Sequence, residues 1–166
     1  MTTYSGFQWF SALGISVMLF MIYGAFYMLI GILTPIFMDA SIGKPGIIIS
    51  YRTDRALFGD EPVHIMKENK PLEQLRKILL PMLAAMLVVS GLSIFSIAFW
   101  GLRAGQFWSI IVLTLVGLVV LPYWWLVFKP YLETSIKITL ADAPPFIWVP
   151  AMLYLPAIIL GWIGMR

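Results

Sequence analysis

The sequence contains no cysteine and a single histidine, His64. Without cysteine the chain can form no disulfide, no thiolate metal site, no cysteine-ligated iron–sulfur cluster and no thioether-bound haem. The lone histidine has no serine partner in a recognisable motif, so the sequence assigns no catalytic residue. These absences favour a protein without catalytic activity and leave the identity of any cofactor open.

Charge is also scarce, because only 11% of the residues are charged whereas 61% are apolar. A soluble domain carries roughly 25% charged and about 45–50% apolar residues. A soluble fold of 166 residues would expose much of this apolar excess to water. The composition therefore predicts an integral membrane protein. The net charge of +3 is too small, and too interleaved with acids, to suggest a nucleic-acid partner.

Four long runs contain no Asp, Glu, Lys or Arg at all: residues 10–38, 78–102, 104–128 and 143–165. Each run reaches the ~20 residues that cross a bilayer core about 30 Å thick. The sequence predicts an all-α bundle of four transmembrane helices in a single membrane domain, residues 1–166, with spans near 10–37, 78–101, 106–128 and 146–164. The first run lacks a basic flank and is too long for a signal peptide, so it is expected to be retained.

Basic residues predict the orientation of these spans. Nine lie in the two connections on one side of the predicted membrane, residues 38–77 and 129–145, and only Arg103 and Arg166 lie on the other. Under the positive-inside rule the two connections are cytoplasmic and both termini are exterior. We therefore expect a multi-pass protein of a bacterial-type inner, or plasma, membrane.

Tryptophans cluster near both ends of the predicted spans, where amphipathic rings settle at membrane interfaces. The candidate anchors at the outer ends are Trp9, Trp100, Trp108 and Trp162, and those toward the inner ends are Trp124, Trp125 and Trp148. Filling of apolar helices is the competing explanation. Proline lies within several spans, at Pro81, Pro122, Pro150 and Pro156. Each frees a backbone carbonyl, which allows a hinge or pocket as well as ordinary kinked packing.

The first loop, residues 38–77, is long enough to need structure of its own. Short amphipathic helices are predicted over "TDRALFG", with Thr53 or Asp54 as the cap, and over "DEPVHIMKEN", with Asp60 as the cap. Asn69 marks the start of a further helix that continues into the second span.

Apolar residues of this loop need burial, because helices shorter than about 12 residues are marginal in water. They are expected to dock on the inner ends of the spans, on the membrane interface or on a partner. The candidate interaction residues are Leu57, Phe58, Ile65 and Met66.

His64 is the only candidate ligand for a metal, haem or pigment, and it is a weak one. Glu61 and His64 form an ExxH pair, which is half of a di-iron carboxylate site, but the chain has no second histidine to complete it. No metal site is therefore predicted, and a solvated imidazole is the favoured interpretation. A shared site in a symmetric dimer stays formally open.

The functional hypothesis follows from the absence of a predicted catalytic or metal site in an apolar chain. The leading hypothesis is a non-catalytic accessory or scaffolding subunit of a larger membrane complex, energy-converting complexes included. Its partners would be membrane lipids and other membrane subunits, or further copies of itself. The alternative is a protein that binds or acts on a lipid, quinone or pigment in a pocket between its helices, with the first loop as a lid.

Overall fold

The computed structural model describes residues 7–37, 46–47, 51–133 and 145–166. Its helices are α1 (Ala12–Phe37), α2 (Tyr51–Phe58), α3 (Pro62–Glu68), α4 (Lys70–Ser96), α5 (Phe107–Glu133) and α6 (Pro145–Gly164). A π-helical turn, Ile97–Leu102, continues α4. Helices hold 87% of the described residues and no strand occurs among them, which confirms the predicted all-α class.

Three helical segments are long and apolar enough to cross a membrane: Ala12–Ile36, Lys70–Leu102 and Phe107–Glu133. They overlap the first three charge-free runs of the sequence. The apolar part of α6 within the described residues, Ala151–Gly164, is shorter than a full span. The structure thus supports a membrane-spanning helical protein with three such helices, and a fourth span rests on the sequence.

Helix α1 is the centre of the bundle, because it packs along both α4 and α6. Its buried side chains join others from α4, the π-helical turn, α5 and α6 in one core. The core consists of Leu13, Val17, Phe20, Tyr23, Ile94, Ala98, Leu102, Ile110, Leu113 and Ala157.

Small residues bring the backbones of α1 and α4 together. A Cβ atom built on Gly24 would lie 2.6 Å from the carbonyl oxygen of Gly91, and one built on Gly31 would lie 2.6 Å from that of Ala84. Lipid provides no hydrophobic force between helices, so their association depends on such close packing. These glycines therefore determine how near the two helices can lie.

A buried polar contact joins α1 to α6. The Ser16 hydroxyl donates a 2.6 Å hydrogen bond to the carbonyl oxygen of Ala157, and both residues are fully buried. Gly161 and Gly164 keep this face open, since a Cβ on Gly161 would lie 2.8 Å from the Ser16 hydroxyl oxygen. Ala157, Gly161 and Gly164 thus let this part of α6 lie close to α1.

A tight turn connects the π-helical turn to α5, and Gly105 there has a φ of 68°, which favours glycine. The Arg103 guanidinium lies 5.0 Å from the ring of Phe99, 5.3 Å from that of Trp9 and 5.7 Å from that of Phe7. These distances are within the range of cation–π attraction. Arg103 thus ties the segment before α1 to the turn that connects α4 and α5 in a helical hairpin. We name this the hairpin end of the bundle.

The opposite end carries α2 and α3, and we name it the loop end. Gly59 stops α2 with a φ of 77°. Thr53 and Asp54 lie inside α2 and are buried, so the prediction that one of them caps this helix is wrong. Local propensity suggested a cap, whereas Asp54 is held by tertiary contacts.

Of the caps predicted for α3 and α4, only the one for α4 is correct. Glu61, rather than Asp60, is the N-cap of α3, and the Asp60 carboxylate instead accepts a 2.6 Å hydrogen bond from the Glu61 backbone N–H. Asn69 caps α4 as predicted, because its side-chain oxygen accepts a hydrogen bond from the Leu72 N–H at 3.2 Å.

Candidate functional site

His64 lies on the exposed face of α3. Its Nδ1 atom is 3.2 Å from the Asp60 carboxylate and its Nε2 atom is 3.6 Å from that of Glu68. The Glu61 backbone N–H, together with His64, holds the pKa of Asp60 below its usual value. No group of three or more metal-ligating side chains occurs in the described parts of the chain. The arrangement resembles ordinary i, i+4 ion pairing on a wet helix face.

The four apolar loop residues proposed for interactions occupy different environments. Met66 is buried, and Leu57 and Ile65 are half-buried, whereas Phe58 is exposed. Phe58 is therefore the most accessible of the four to a partner or a membrane surface. The others already have part of their surface covered by this chain.

Four of the tryptophans gather at the hairpin end, and each keeps more than a third of its surface exposed: Trp9, Trp100, Trp108 and Trp162. The Trp108 indole N–H donates a 2.6 Å hydrogen bond to the side-chain oxygen of Gln106. An apolar ring with a satisfied polar edge suits a membrane interface. Trp125 is exposed on the second half of α5, while Trp124 and Trp148 are half-buried.

A buried carboxylate at the loop end connects α2 to α5. Asp54 has no exposed surface, and its Oδ1 atom accepts a 2.8 Å hydrogen bond from the Tyr131 hydroxyl. Its Oδ2 atom accepts a 2.6 Å hydrogen bond from the Ile47 backbone N–H. Asp54 therefore joins α2 to the first loop at Ile47 and to the far end of α5 at Tyr131, and we name this the Asp54 contact.

A tyrosine of α6 enters the backbone of α5. The Tyr154 hydroxyl donates to the carbonyl oxygens of Leu113 and Thr114 and accepts a 2.8 Å hydrogen bond from the Gly117 N–H. Helix α5 is nevertheless continuous from Phe107 to Glu133. We name this place the Tyr154 insertion.

Aromatic rings extend from the Tyr154 insertion into α1. The Tyr154 ring lies 5.8 Å from Phe20 in an edge-on arrangement and 5.5 Å from Tyr23. Tyr23 in turn lies 4.8 Å from Tyr27. Such distances suit attractive aromatic pairs. The four rings form a continuous aromatic cluster between α1 and α6, and Tyr27 is its half-exposed end.

Beyond the Tyr154 insertion, α5 makes little contact with the rest of the bundle. No residue from Thr114 to Pro130 is buried, although Leu113 before this stretch and Tyr131 after it both are. All six residues from 118 to 123 are exposed, so no side of the helix is covered there. We name residues 118–130 the exposed arm of α5.

Sequence patterns offer little indication of the Asp54 contact or of the Tyr154 insertion. Asp54 was one of several acids in a mixed-charge loop, and hydropathy cannot indicate which of them becomes buried. Tyr154 and Gly117 lie in apolar spans, where tyrosine and glycine are ordinary residues. Proline at Pro122 was the one available signal, because it indicated a hinge in this span as one of two interpretations.

Comparison of the chain with models of known protein families, with characterised proteins and with solved structures finds no match.

Proposed function

We propose that the protein is a four-span membrane protein that acts as a non-catalytic accessory or scaffolding subunit of a larger membrane complex. Helix α6 is the fourth span in this proposal, both termini are exterior, and residues 38–77 and 129–145 are cytoplasmic. The asymmetry of the basic residues supports this orientation.

The exposed arm supports the scaffolding role. A spanning helix whose residues 118–123 are all exposed packs little against its own chain there. Helix association in lipid depends on van der Waals packing, so a helix without intramolecular neighbours is suited to receive those of another subunit. Large side chains are available there, including Leu121, Tyr123 and Trp125, which are 61–66% exposed.

Site-specific photo-crosslinking in native membranes tests this role. A photoreactive phenylalanine analogue at Leu121 is compared with one at Val89 of α4, since these residues are 61% and 63% exposed. We expect a discrete protein adduct from position 121, identified by mass spectrometry, and mainly lipid adducts from position 89. Lipid adducts alone at position 121 would refute the proposed partner surface.

A second candidate function is the binding of an apolar ligand beneath the first loop. The Asp54 contact favours it, because it holds α2 against the far end of α5 while the exposed arm between this contact and the Tyr154 insertion is unpacked. Purification in mild detergent followed by mass spectrometry of extracted small molecules distinguishes the two. A stoichiometric lipid, quinone or pigment supports ligand binding, and instability without partners supports the subunit.

A further inference from the structure

Arg103 is a cation with no carboxylate side chain near it. The sequence has no Asp or Glu in residues 1–38, 74–132 and 143–166, and these ranges contain all the helix ends that meet at the hairpin end. The Nε atom of Arg103 is buried and has no hydrogen-bond partner in the described part of the chain. A charge that is partly removed from water is costly unless it is paired. The side chains at this end of the bundle do not provide that pairing.

Three aromatic rings hold the guanidinium of Arg103 in place. The ring of Phe99 lies 5.0 Å from its central carbon atom, that of Trp9 5.3 Å and that of Phe7 5.7 Å. Phe7 and Trp9 also pack edge-on against each other at 5.0 Å, so these two rings support one another. Aromatic rings attract a cation but carry no net charge. The rings therefore position the guanidinium and leave its positive charge unpaired.

Arg103 directly follows a segment that is long and apolar enough to span a membrane. That segment ends at Leu102, and the next one begins at Phe107. The headgroups of a bilayer lie just outside the hydrocarbon core that such segments cross. Trp100 and Trp108 are exposed on either side of Arg103, and exposed tryptophans settle at the headgroup level. Arg103 itself is half-buried, so part of its side chain is open to an acceptor at that depth.

We propose that Arg103, with the three rings around it, binds the phosphate group of a membrane phospholipid. A guanidinium donates two parallel hydrogen bonds to one phosphate, which gives the pair its strength and its geometry. The four exposed tryptophans of the hairpin end favour a phospholipid over free phosphate, because their rings suit contact with a membrane interface. The site requires that the spans cross a bilayer, and it depends neither on their orientation nor on the subunit or ligand role proposed above.

Native mass spectrometry of the detergent-solubilised protein tests the site by titration with defined molecules. The probes are phosphatidylglycerol, a diacylglycerol with the same acyl chains, and inorganic phosphate. We expect Arg103→Gln to weaken binding of the first phosphatidylglycerol about tenfold, which corresponds to the loss of one charge-assisted hydrogen bond. Diacylglycerol lacks the phosphate, so its binding should be weak and equal in the parent and the variant.

Arg166→Gln is the matched control, because it removes one positive charge from the same end of the bundle and Arg166 is exposed. It should leave the affinity for the first phosphatidylglycerol unchanged. Arg103→Lys keeps the charge but loses the planar fork, so its affinity should fall between those of the parent and Arg103→Gln. A lysine still packs against the three rings, and Arg103→Lys alone decides the question if Arg103→Gln fails to fold.

Four results would overturn the inference. The first is phosphatidylglycerol binding by both Arg103 variants as tight as that of the parent, and the second is an equal loss of affinity in Arg166→Gln. Equal affinity of the parent for diacylglycerol or for inorganic phosphate would assign binding to the acyl chains or to a free anion. Loss of a protein partner from native membranes in Arg103→Gln, with lipid affinity unchanged, would identify a carboxylate of that partner as the counter-charge.

Discussion

At the scale of the residue, two glycines decide how closely α1 and α4 approach each other. A Cβ on Gly91 would lie 2.5 Å from the carbonyl oxygen of Gly24, a distance that side chains essentially never adopt. The obstructing atom belongs to a backbone, so relief requires one helix to shift. The contact between α1 and α4 is therefore sensitive to a single methyl group.

We expect Gly91→Ala to lower the free energy of unfolding by about 1–3 kcal/mol, the usual cost of overpacking. The adjacent Ser90 is exposed, so Ser90→Ala is the matched control and should have little effect. Equilibrium unfolding of both variants in mixed detergent micelles provides the measurement. Equal stability of Gly91→Ala and the parent would show that α1 and α4 separate without cost.

Ser16 provides a second test at this scale. Its hydroxyl bonds across to Ala157, whereas the Ser93 hydroxyl bonds to Val89 within its own helix. Hydrogen bonds between transmembrane helices contribute about 0.6 kcal/mol on average. We expect Ser16→Ala to lower the free energy of unfolding by about 0.6 kcal/mol in the same assay. Ser93→Ala is the control, and a larger loss there would contradict the importance of the bond between helices.

At the scale of the element, the sequence predicted where the helices lie but not which helices pack together. The charge-free runs mark α1, α4 and α5 because insertion depends on total hydropathy. Which face of such a helix is buried cannot be read from hydropathy, since lipid and protein interior are equally apolar. Gly24 and Gly91 look like many other membrane glycines until their pairing is known.

The same limit applies to the candidate site. Asn69 was predicted correctly because capping is a local interaction between neighbours in sequence. Asp54 and Tyr131 are 77 residues apart, and Tyr154 is 37 residues from Gly117. Contacts at such separations depend on how the helices pack. The π-helical turn, Ile97–Leu102, likewise has no signature in its apolar sequence.

The loop helices yield a prediction for α2. Leu57→Asp with Phe58→Asp should weaken docking of the loop or a partner, while insertion of the spans remains unchanged. Ala56→Asp is the control, because Ala56 is exposed on the same helix. Limited proteolysis from the cytoplasmic side and co-purification of partners measure the effect. Protease resistance and intact partners in the double variant would mean that the loop is only a tether.

For α3 we expect His64→Ala to fold normally and to lose no bound metal or chromophore. The side chain is exposed, and its neighbours Asp60 and Glu68 form only surface ion pairs with it. Such pairs contribute little to stability. Metal analysis and absorption spectra of purified protein provide the check. Disappearance of a stoichiometric metal from the variant would establish His64 as a ligand.

At the scale of the whole molecule, chemical labelling can measure the orientation of the spans in the membrane. We expect a cysteine at Lys67 to react only with reagents that reach the cytoplasm, and one at Gln106 to react from outside intact cells. Gln106 replaces its neighbour Gly105 as the labelling site because Gly105 requires a positive φ. Both positions are exposed. Labelling of position 67 from outside would reverse the proposed topology.

The central position of α1 has a consequence for the order in which the protein is made. Ala157, the hydrogen-bond partner of its buried Ser16, follows 141 residues later in the chain. At a synthesis rate of about 5–20 residues per second, that interval is roughly 7–28 s. During this time the Ser16 hydroxyl lacks its partner on α6. The contact between α1 and α6 therefore forms only after α6 has been synthesised, later than the contact between α1 and α4 can form.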